Sequence, residues 1–276
     1  MPMSKQDKQL WSESTVVITG ATGGLGRALV ERFNAAGAEL ILQGRNESIL
    51  AQMIDNLDKL SGIVCGDLTD PAVLANLQKS AEQATRKHRV LINNAAISTP
   101  GFLNQQSDQV LIKTIEVNLT VPILLSRHLL PWLSGGEQGR IVNIGSSFGG
   151  IGYPGFSSYC AAKFGLLGFS QALHRELCEE DIAVHYLAPR AMNTQINTAS
   201  VKAMNKQLKN KDDKPEDIAA AIIRAIEKNQ QQRFFGWPEK LFVKINSLLP
   251  GFVSRSINRD LPVIQQHLNQ ENSHEI

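Results

Sequence analysis

Seven short β-rich runs alternate with longer helical patterns along this chain, and few architectures accept that order. The runs are Thr15 to Thr19, Glu39 to Gln43, Gly62 to Cys65, Val90 to Asn93, Arg140 to Ile144, Ala183 to Leu187 and Gln232 to Phe235. Between them the apolar spacing predicts helices over Leu25 to Ala36, Asn46 to Leu57, Pro71 to Arg86, Ser107 to Leu133, Ser157 to Glu179 and Glu216 to Lys228. Pro71 and Pro215 fall where the first turn of a helix tolerates proline. Such alternation is the mark of a parallel sheet with helices on both faces. The expected fold is therefore α/β and doubly wound. A chain of 276 residues with 42% hydrophobic content can build it as one domain with an ample core. Thr194 to Lys214 carries neither pattern, and reads as a solvated loop or a mobile substrate lid.

Composition excludes several functions. A net charge of +2 gives no long-range field, and no basic stripe interleaved with aromatics points to nucleic acid. Cys65, Cys160 and Cys178 lack metal-type spacing and fit a reducing compartment without a disulfide framework. None of the six histidines has ligand spacing with another His or a Cys, so no metal is expected. The first ten residues lack the apolar segment of a signal peptide, and no uncharged apolar run approaches a membrane span. A cytoplasmic protein is expected.

The motifs narrow the chemistry. Val16-Val17-Ile18 reads as a buried strand running into Thr19 to Gly26 (TGATGGLG) and then a helix, which aims backbone amides and a positive helix end at a pyrophosphate. Gly20, Gly24 and Gly26 let the turn form and the cofactor approach, with Thr22 and Leu25 in the same loop. The second run ends in Gln43-Gly44-Arg45. A carboxylate there would accept from ribose hydroxyls; Gly44 supplies none, and Arg45 can pair with a 2′-phosphate or stand as an ordinary solvated arginine. Tyr159 and Lys163 are four apart in a helical pattern and so share a face, where an ammonium would favour the phenolate. That pair reads as a tuned general acid/base.

Taken in order, the Gly-rich turn, Asn93-Asn94-Ala95-Ala96, Asn118, Ser146 and Tyr159 with Lys163 resemble the short-chain dehydrogenase/reductase family over roughly Thr15 to Phe235. The resemblance implies a Rossmann-type seven-stranded parallel sheet and hydride transfer between a nicotinamide and a carbonyl or alcohol. It implies that Ser146, thirteen positions before Tyr159, hydrogen-bonds the reacting oxygen, with Ser147 as local competitor. Asn118 then kinks the long helix and holds a relay water behind Lys163. The cofactor would touch Gly20, Thr22, Gly24, Leu25, Gly26, Arg45, Asp67, Leu68, Asn94, Ala95, Tyr159, Lys163 and Thr194. Asp67 would fix the adenine ring, or else only cap the helix near Pro71; Thr194 would bond the nicotinamide carboxamide. NADP(H) is the expected cofactor, with NAD(H) the alternative. Two positions depart from the family pattern: Ala96 replaces a glycine, and Arg190 follows Pro189 where glycine is usual. Arg190 reads as a flank pointing to solvent, or as a selector of acidic or phosphate-bearing substrates. The glycines also fit a second spacing, Gly20, Gly23 and Gly26, that suits the longer sugar-nucleotide epimerase-like enzymes, and a non-catalytic NADP(H) sensor is a further alternative. A homodimer or homotetramer through the two long helices is implied.

The catalytic domain is expected over 1–236 and an amphipathic extension over 237–276. In the extension Leu241, Ile245, Leu248 and Phe252 recur at helical spacing beside Phe242, Leu249 and Val253, flanked by Lys240, Lys244, Arg255 and Arg259, with Pro250-Gly251 interrupting the helix. Such a stripe would cover an apolar substrate cleft, pack in an interface, or make peripheral membrane contact over 237–257, at the inner face of a membrane.

Overall fold

The computed structural model describes residues 5–272 except Asn193 and Gln195. Its sheet has seven strands in the order β3-β2-β1-β4-β5-β6-β7, all parallel. The strands are β1 (Ser14–Ile18), β2 (Glu39–Gly44), β3 (Leu60–Cys65), β4 (His88–Asn93), β5 (Gln138–Ile144), β6 (Ile182–Ala188) and β7 (Gln232–Phe234). Because strand order reverses between β1 and β4, their carboxyl ends part and open a crevice, the place where such sheets bind ligands.

Helices α1 (Lys5–Ser12), α2 (Gly24–Ala35), α3 (Glu47–Ile54), α4 (Pro71–Glu82), α5 (Asp108–Ile115), α6 (Val121–Ser134), α7 (Ser157–Glu176), α8 (Ala199–Gln207) and α9 (Pro215–Glu227) cover the sheet and the mouth of the crevice. Successive side chains of β1 point to opposite faces, so Val16 and Ile18 join one core with Leu29 and Phe33 of α2 and Ile222 of α9. Val17 joins the other, with Leu77 of α4 and Leu125, Leu129 and Trp132 of α6. Full burial of β1 on both faces explains its unbroken apolar run. Local chemistry starts the helices: Asp70 caps α4 by accepting from Ala72 N, with Pro71 in the first turn, and Ser107 caps α5 by accepting from Val110 N.

Four features differ from the sequence expectation. An added helix, α1, packs Trp11 edge-on against Phe33 with ring centroids 4.8 Å apart, and the indole N–H donates to Glu227 at 2.9 Å. The stretch 194–214, without a helical pattern in the sequence, contains α8, capped by Thr198 and anchored by buried Val201 and Met204. Its polar, Lys-rich sequence hides this helix because only one narrow stripe is buried. The stretch Asp108–Ser134 is long and apolar enough to cross a membrane, where no run was expected to approach that; here Val121, Leu125, Leu129 and Leu133 instead pack against the sheet. Finally, Pro250 does not merely interrupt a helix: α10 (Glu239–Leu248) ends before it, and it opens the 23-residue α11 (Pro250–Asn272).

Candidate functional site

The Gly-rich turn forms the inner wall of a cleft of about 910 Å³. Gly20 has φ +62, and a Cβ there would lie 2.8 Å from Ala95 Cα, so only glycine lets β1 and β4 ends meet so closely. Thr19 Oγ1 accepts from Asn94 N and Ala95 N, both at 3.0 Å, while Asn94 Nδ2 donates to the carbonyls of Thr19 and Gly20 at 2.9 and 3.1 Å. Asn94 thus splints the turn. Gly23 at the start of α2 has no side-chain cap, and the first turn holds no carboxylate, which leaves the helix terminus available to an anion in the cleft.

A residue that sequence reasoning missed completes this wall. Gln43, 1% exposed, accepts from Gly20 N at 3.1 Å and donates to Gly66 O at 2.8 Å, tying the loops after β1 and β3 to the end of β2. A glutamine closing an otherwise apolar strand was the available signal. Arg45 and Asn46 line the outer rim beside Thr22, and Arg45 is exposed. Asp67 also lines the cleft, with Leu68 beside it. It is not the helix cap, a role Asp70 takes. Its carboxylate instead accepts from Thr69 N at 2.9 Å and pairs with Lys113 at 3.1 Å. These contacts, the Thr69 bond first, hold its pKa down to about 2.

Ser146, Tyr159 and Lys163 meet at the inner end of the cleft. Ser146 ends the β5 loop and accepts from Phe148 N at 3.2 Å, capping a 3-10 turn at Ser147–Gly149. Its neighbour Ser147 donates its N–H to Pro189 O at 3.0 Å. Lys163 is 3% exposed, and its Nζ donates to Ile144 O at 2.9 Å while standing 5.7 Å from the Tyr159 ring centroid. Asn118 lies fully buried in a π-helical turn, Glu116–Thr120, where α5 passes into α6. Its Nδ2 donates to Ile97 O and Thr114 O, both at 2.8 Å, and its buried Oδ1 has no protein partner. A π turn of this kind is a frequent mark of a functional position in a helix. Beneath the site, Asn93 Nδ2 donates to Asn143 Oδ1 and Asn143 Nδ2 to Ser170 Oγ, each at 2.8 Å, which locks β4, β5 and α7 together.

Electrostatics depart from the expectation of a phenolate favoured by its neighbouring ammonium. Tyr159 keeps some exposure toward the cleft, yet burial dominates and pushes its pKa up to about 12, with the Ser146 hydroxyl opposing in part. Burial pushes Lys163 down to about 8. Desolvation penalises both charged forms, and it outweighs their mutual attraction here. Between about 8 and the ordinary 10.5 the folded protein therefore holds fewer protons at Lys163 than the unfolded chain does. The cost of burying the ammonium is fully present below about 8 and disappears as the pH rises through 10.5. Lys163→Met removes that cost, so its stability gain over the parent should be greatest at neutral pH and fade toward alkaline pH in urea unfolding. A pH-independent difference would overturn this account of Lys163.

The outer cleft is closed by segments distant in sequence. Arg190, 10% exposed at its side chain, makes a bidentate pair with Asp213 at 2.7 and 2.9 Å and also reaches Glu239 Oε2 at 3.1 Å and Trp237 O at 2.9 Å. It is neither a solvent flank nor a free selector of acidic groups, because its donors are committed to joining the segment before α9 to the start of α10. Thr194 lines the cleft with its Oγ1 buried and without a protein partner. Phe242, Val253 and Ile257 line it from α10 and α11. Ile264 and Leu268 of α11 pack with Phe156, Cys160, Val201 and Met204.

A doubly wound sheet carrying a glycine cradle, with Ser, Tyr and Lys converging beside it, defines a dinucleotide-binding oxidoreductase class. Residues 14–205 match the family model described as short chain dehydrogenase, and the chain belongs to the short-chain dehydrogenase/reductase family of oxidoreductases acting on CH–OH and C=O groups. It is 33% identical over 258 residues to the Bos taurus dehydrogenase/reductase SDR family member 7B, covering 88% of this chain and 79% of that protein; of the Mus musculus protein of the same name it covers 64%. It is 31% identical over 216 residues to the 3-oxoacyl-(acyl-carrier-protein) reductase FabG of Rickettsia bellii, covering 76% of this chain and 88% of that one. The solved short-chain dehydrogenase from Sphingobium yanoikuyae in complex with NADPH superposes with a TM-score of 0.74 at 27% identity, covering 87% of this chain and 94% of the other.

Proposed function

We propose that this protein is an NADP(H)-dependent reductase of apolar carbonyl compounds, with Tyr159 as proton donor and Ser146, Lys163 and Asn118 serving it. The observation that carries the reading is the meeting of Tyr159 and Ser146 at the inner end of a cleft whose substrate side is lined by Phe148, Ile151, Phe156, Val201, Met204 and Phe242. The residues fit a dinucleotide: the uncapped start of α2 suits a pyrophosphate, and the unpartnered Thr194 Oγ1 suits a carboxamide. When bound, the nicotinamide supplies the hydride. Tyr159, with its pKa pushed up to about 12, stays protonated at neutral pH. A developing alkoxide is still more basic, so proton donation to it from Tyr159 Oη runs downhill. Ser146 Oγ orients the accepting oxygen. Lys163 and the buried, unpartnered Asn118 Oδ1 supply the polar path through which Tyr159 regains its proton.

The preference for NADP(H) rests on Arg45 at the cleft rim, on the absence of a carboxylate at Gly44, and on the NADPH bound by the Sphingobium relative. A charge-assisted contact to a 2′-phosphate contributes about 1.5–3 kcal/mol. Arg45→Ala should accordingly weaken NADPH binding by about tenfold or more and leave NADH nearly unchanged in a fluorescence titration. Equal losses for both cofactors would remove Arg45 from this role. Self-association through α5, α6 and α7 belongs to the same reading, supported by exposed Ile112 and Phe164. The deciding experiment follows NADPH consumption by the purified protein against ketones, aldehydes, steroids, fatty acyl and sugar carbonyls. Turnover strongest with apolar carbonyls is expected; cofactor binding without turnover of any carbonyl or alcohol would favour a sensor instead.

A further inference from the structure

Helices α10 and α11 have two faces of different use. The inner one is fastened to the enzyme: Asn246 Nδ2 donates to Gly150 O at 3.0 Å, Phe242 and Val253 line the cleft, and Ile264 and Leu268 are buried. The outer one is apolar and open. Among the described residues, five of the nine exposed large hydrophobic side chains fall between Trp237 and Phe252: Trp237 at 62%, Leu241 at 39%, Leu248 at 80%, Leu249 at 63% and Phe252 at 60% exposure. Leu241 and Leu248, seven apart, share one side of α10, and Trp237 stands just before its start. Leu249 and Phe252 continue the patch around the turn, where Phe252 N donates to Leu249 O at 3.1 Å. Soluble monomers rarely leave such clusters bare.

The charges beside the patch identify what covers it. Lys240, Lys244, Arg255 and Arg259 are all exposed, and Lys240 Nζ stands 5.7 Å from the Trp237 ring centroid. The one carboxylate between Trp237 and Arg259 is Glu239, already paired with Arg190 at 3.1 Å. A second copy docking isologously would set four cations against four cations, with Glu239 already paired and the next carboxylate, Asp260, lining the cleft instead of the patch. An anionic lipid surface offers the complement of both features: acyl chains for the leucines and phenylalanine, headgroup charge for the lysines and arginines, and an interfacial seat for Trp237.

We propose that the α10–α11 elbow docks this protein on anionic membranes, with Leu248, Leu249 and Phe252 entering the headgroup boundary. Phe242 and Val253 of the same two helices line the cleft, so docking sets the cleft beside the lipid surface. The test is flotation of the full chain with phosphatidylcholine vesicles, with and without about 30% phosphatidylserine. The parent should float with the anionic vesicles at least about tenfold more than with the neutral ones, and high salt should weaken this. Leu248→Ser with Leu249→Ser and Phe252→Ser should abolish flotation while leaving NADPH binding and Tm unchanged, since these side chains are exposed and support no core. Lys244→Glu with Arg255→Glu should erase the preference for anionic lipid. The proposal is overturned if the parent fails to float, or if the triple-serine variant floats as well as the parent. A parent that does not float but shifts to a smaller sedimenting species on triple-serine substitution would assign the patch to a second copy instead. Flotation is read without turnover, so its failure leaves the proposed reductase reading standing.

Discussion

Tyr159→Phe is expected to lower kcat by about a hundredfold or more while leaving NADPH affinity within about twofold of the parent, because a positioned general acid contributes roughly 10² to 10⁴-fold. The substitution removes only Oη. The ring that packs edge-on to Phe148 at 6.4 Å remains, so the wall of the cleft stays in place. Ser146 retains its bond from Phe148 N at 3.2 Å, and the uncapped start of α2 is remote from the change. Steady-state rates with a carbonyl substrate, together with a cofactor titration, check both halves. Activity within about threefold of the parent would remove Tyr159 from the proton-donating step.

Gly26→Ala should have the largest effect on the cofactor side. A Cβ at this position would sit 2.2 Å from Gly20 O and 2.9 Å from Ala21 Cα, and these are backbone atoms that cannot rotate away. The turn must open to admit the methyl group. That displaces the amides at the start of α2 and strains the splint made by Asn94, at a cost of about 1–3 kcal/mol in stability and about tenfold or more in dinucleotide affinity. Gly152→Ala is the control, since a Cβ there meets nothing within 4 Å. Urea unfolding and a cofactor titration should separate the two variants; equal behaviour would show that the turn has slack where the packing shows none.

Periodicity made the sheet legible. Strands buried on both faces, such as Val16-Val17-Ile18, must be continuously apolar, and the helices between them must show one apolar stripe, so the element order and the parallel pairing follow from local pattern alone. The Gly-rich turn was legible for a related reason: only glycine accepts φ +62 beside Ala95. Elements with weak local signals were not legible. Helix α8 hides in a polar stretch because few of its side chains are buried, and Gln43 acts through the ends of three strands that its own neighbours in sequence do not reveal.

The sequence by itself determined the family, the seven-stranded α/β architecture and the candidate residues, since each rests on residue types at short spacing or in a fixed order. Only the tertiary structure decided the electrostatics and the far wall of the cleft. Tyr159 and Lys163 are neighbours on one helix by spacing alone, but the sign of their pKa shifts depends on how deeply the folded chain buries them, and burial overrides the attraction that spacing suggests. Arg190 looks unattached in the sequence; its partners Asp213 and Glu239 lie 23 and 49 positions away and meet it only when the chain closes over the cleft. The apolar stripe of the extension divides in the same way. Spacing along one helix cannot say which side faces the protein, and the contacts of Val253, Ile264 and Leu268 turn Leu248, Leu249 and Phe252 outward.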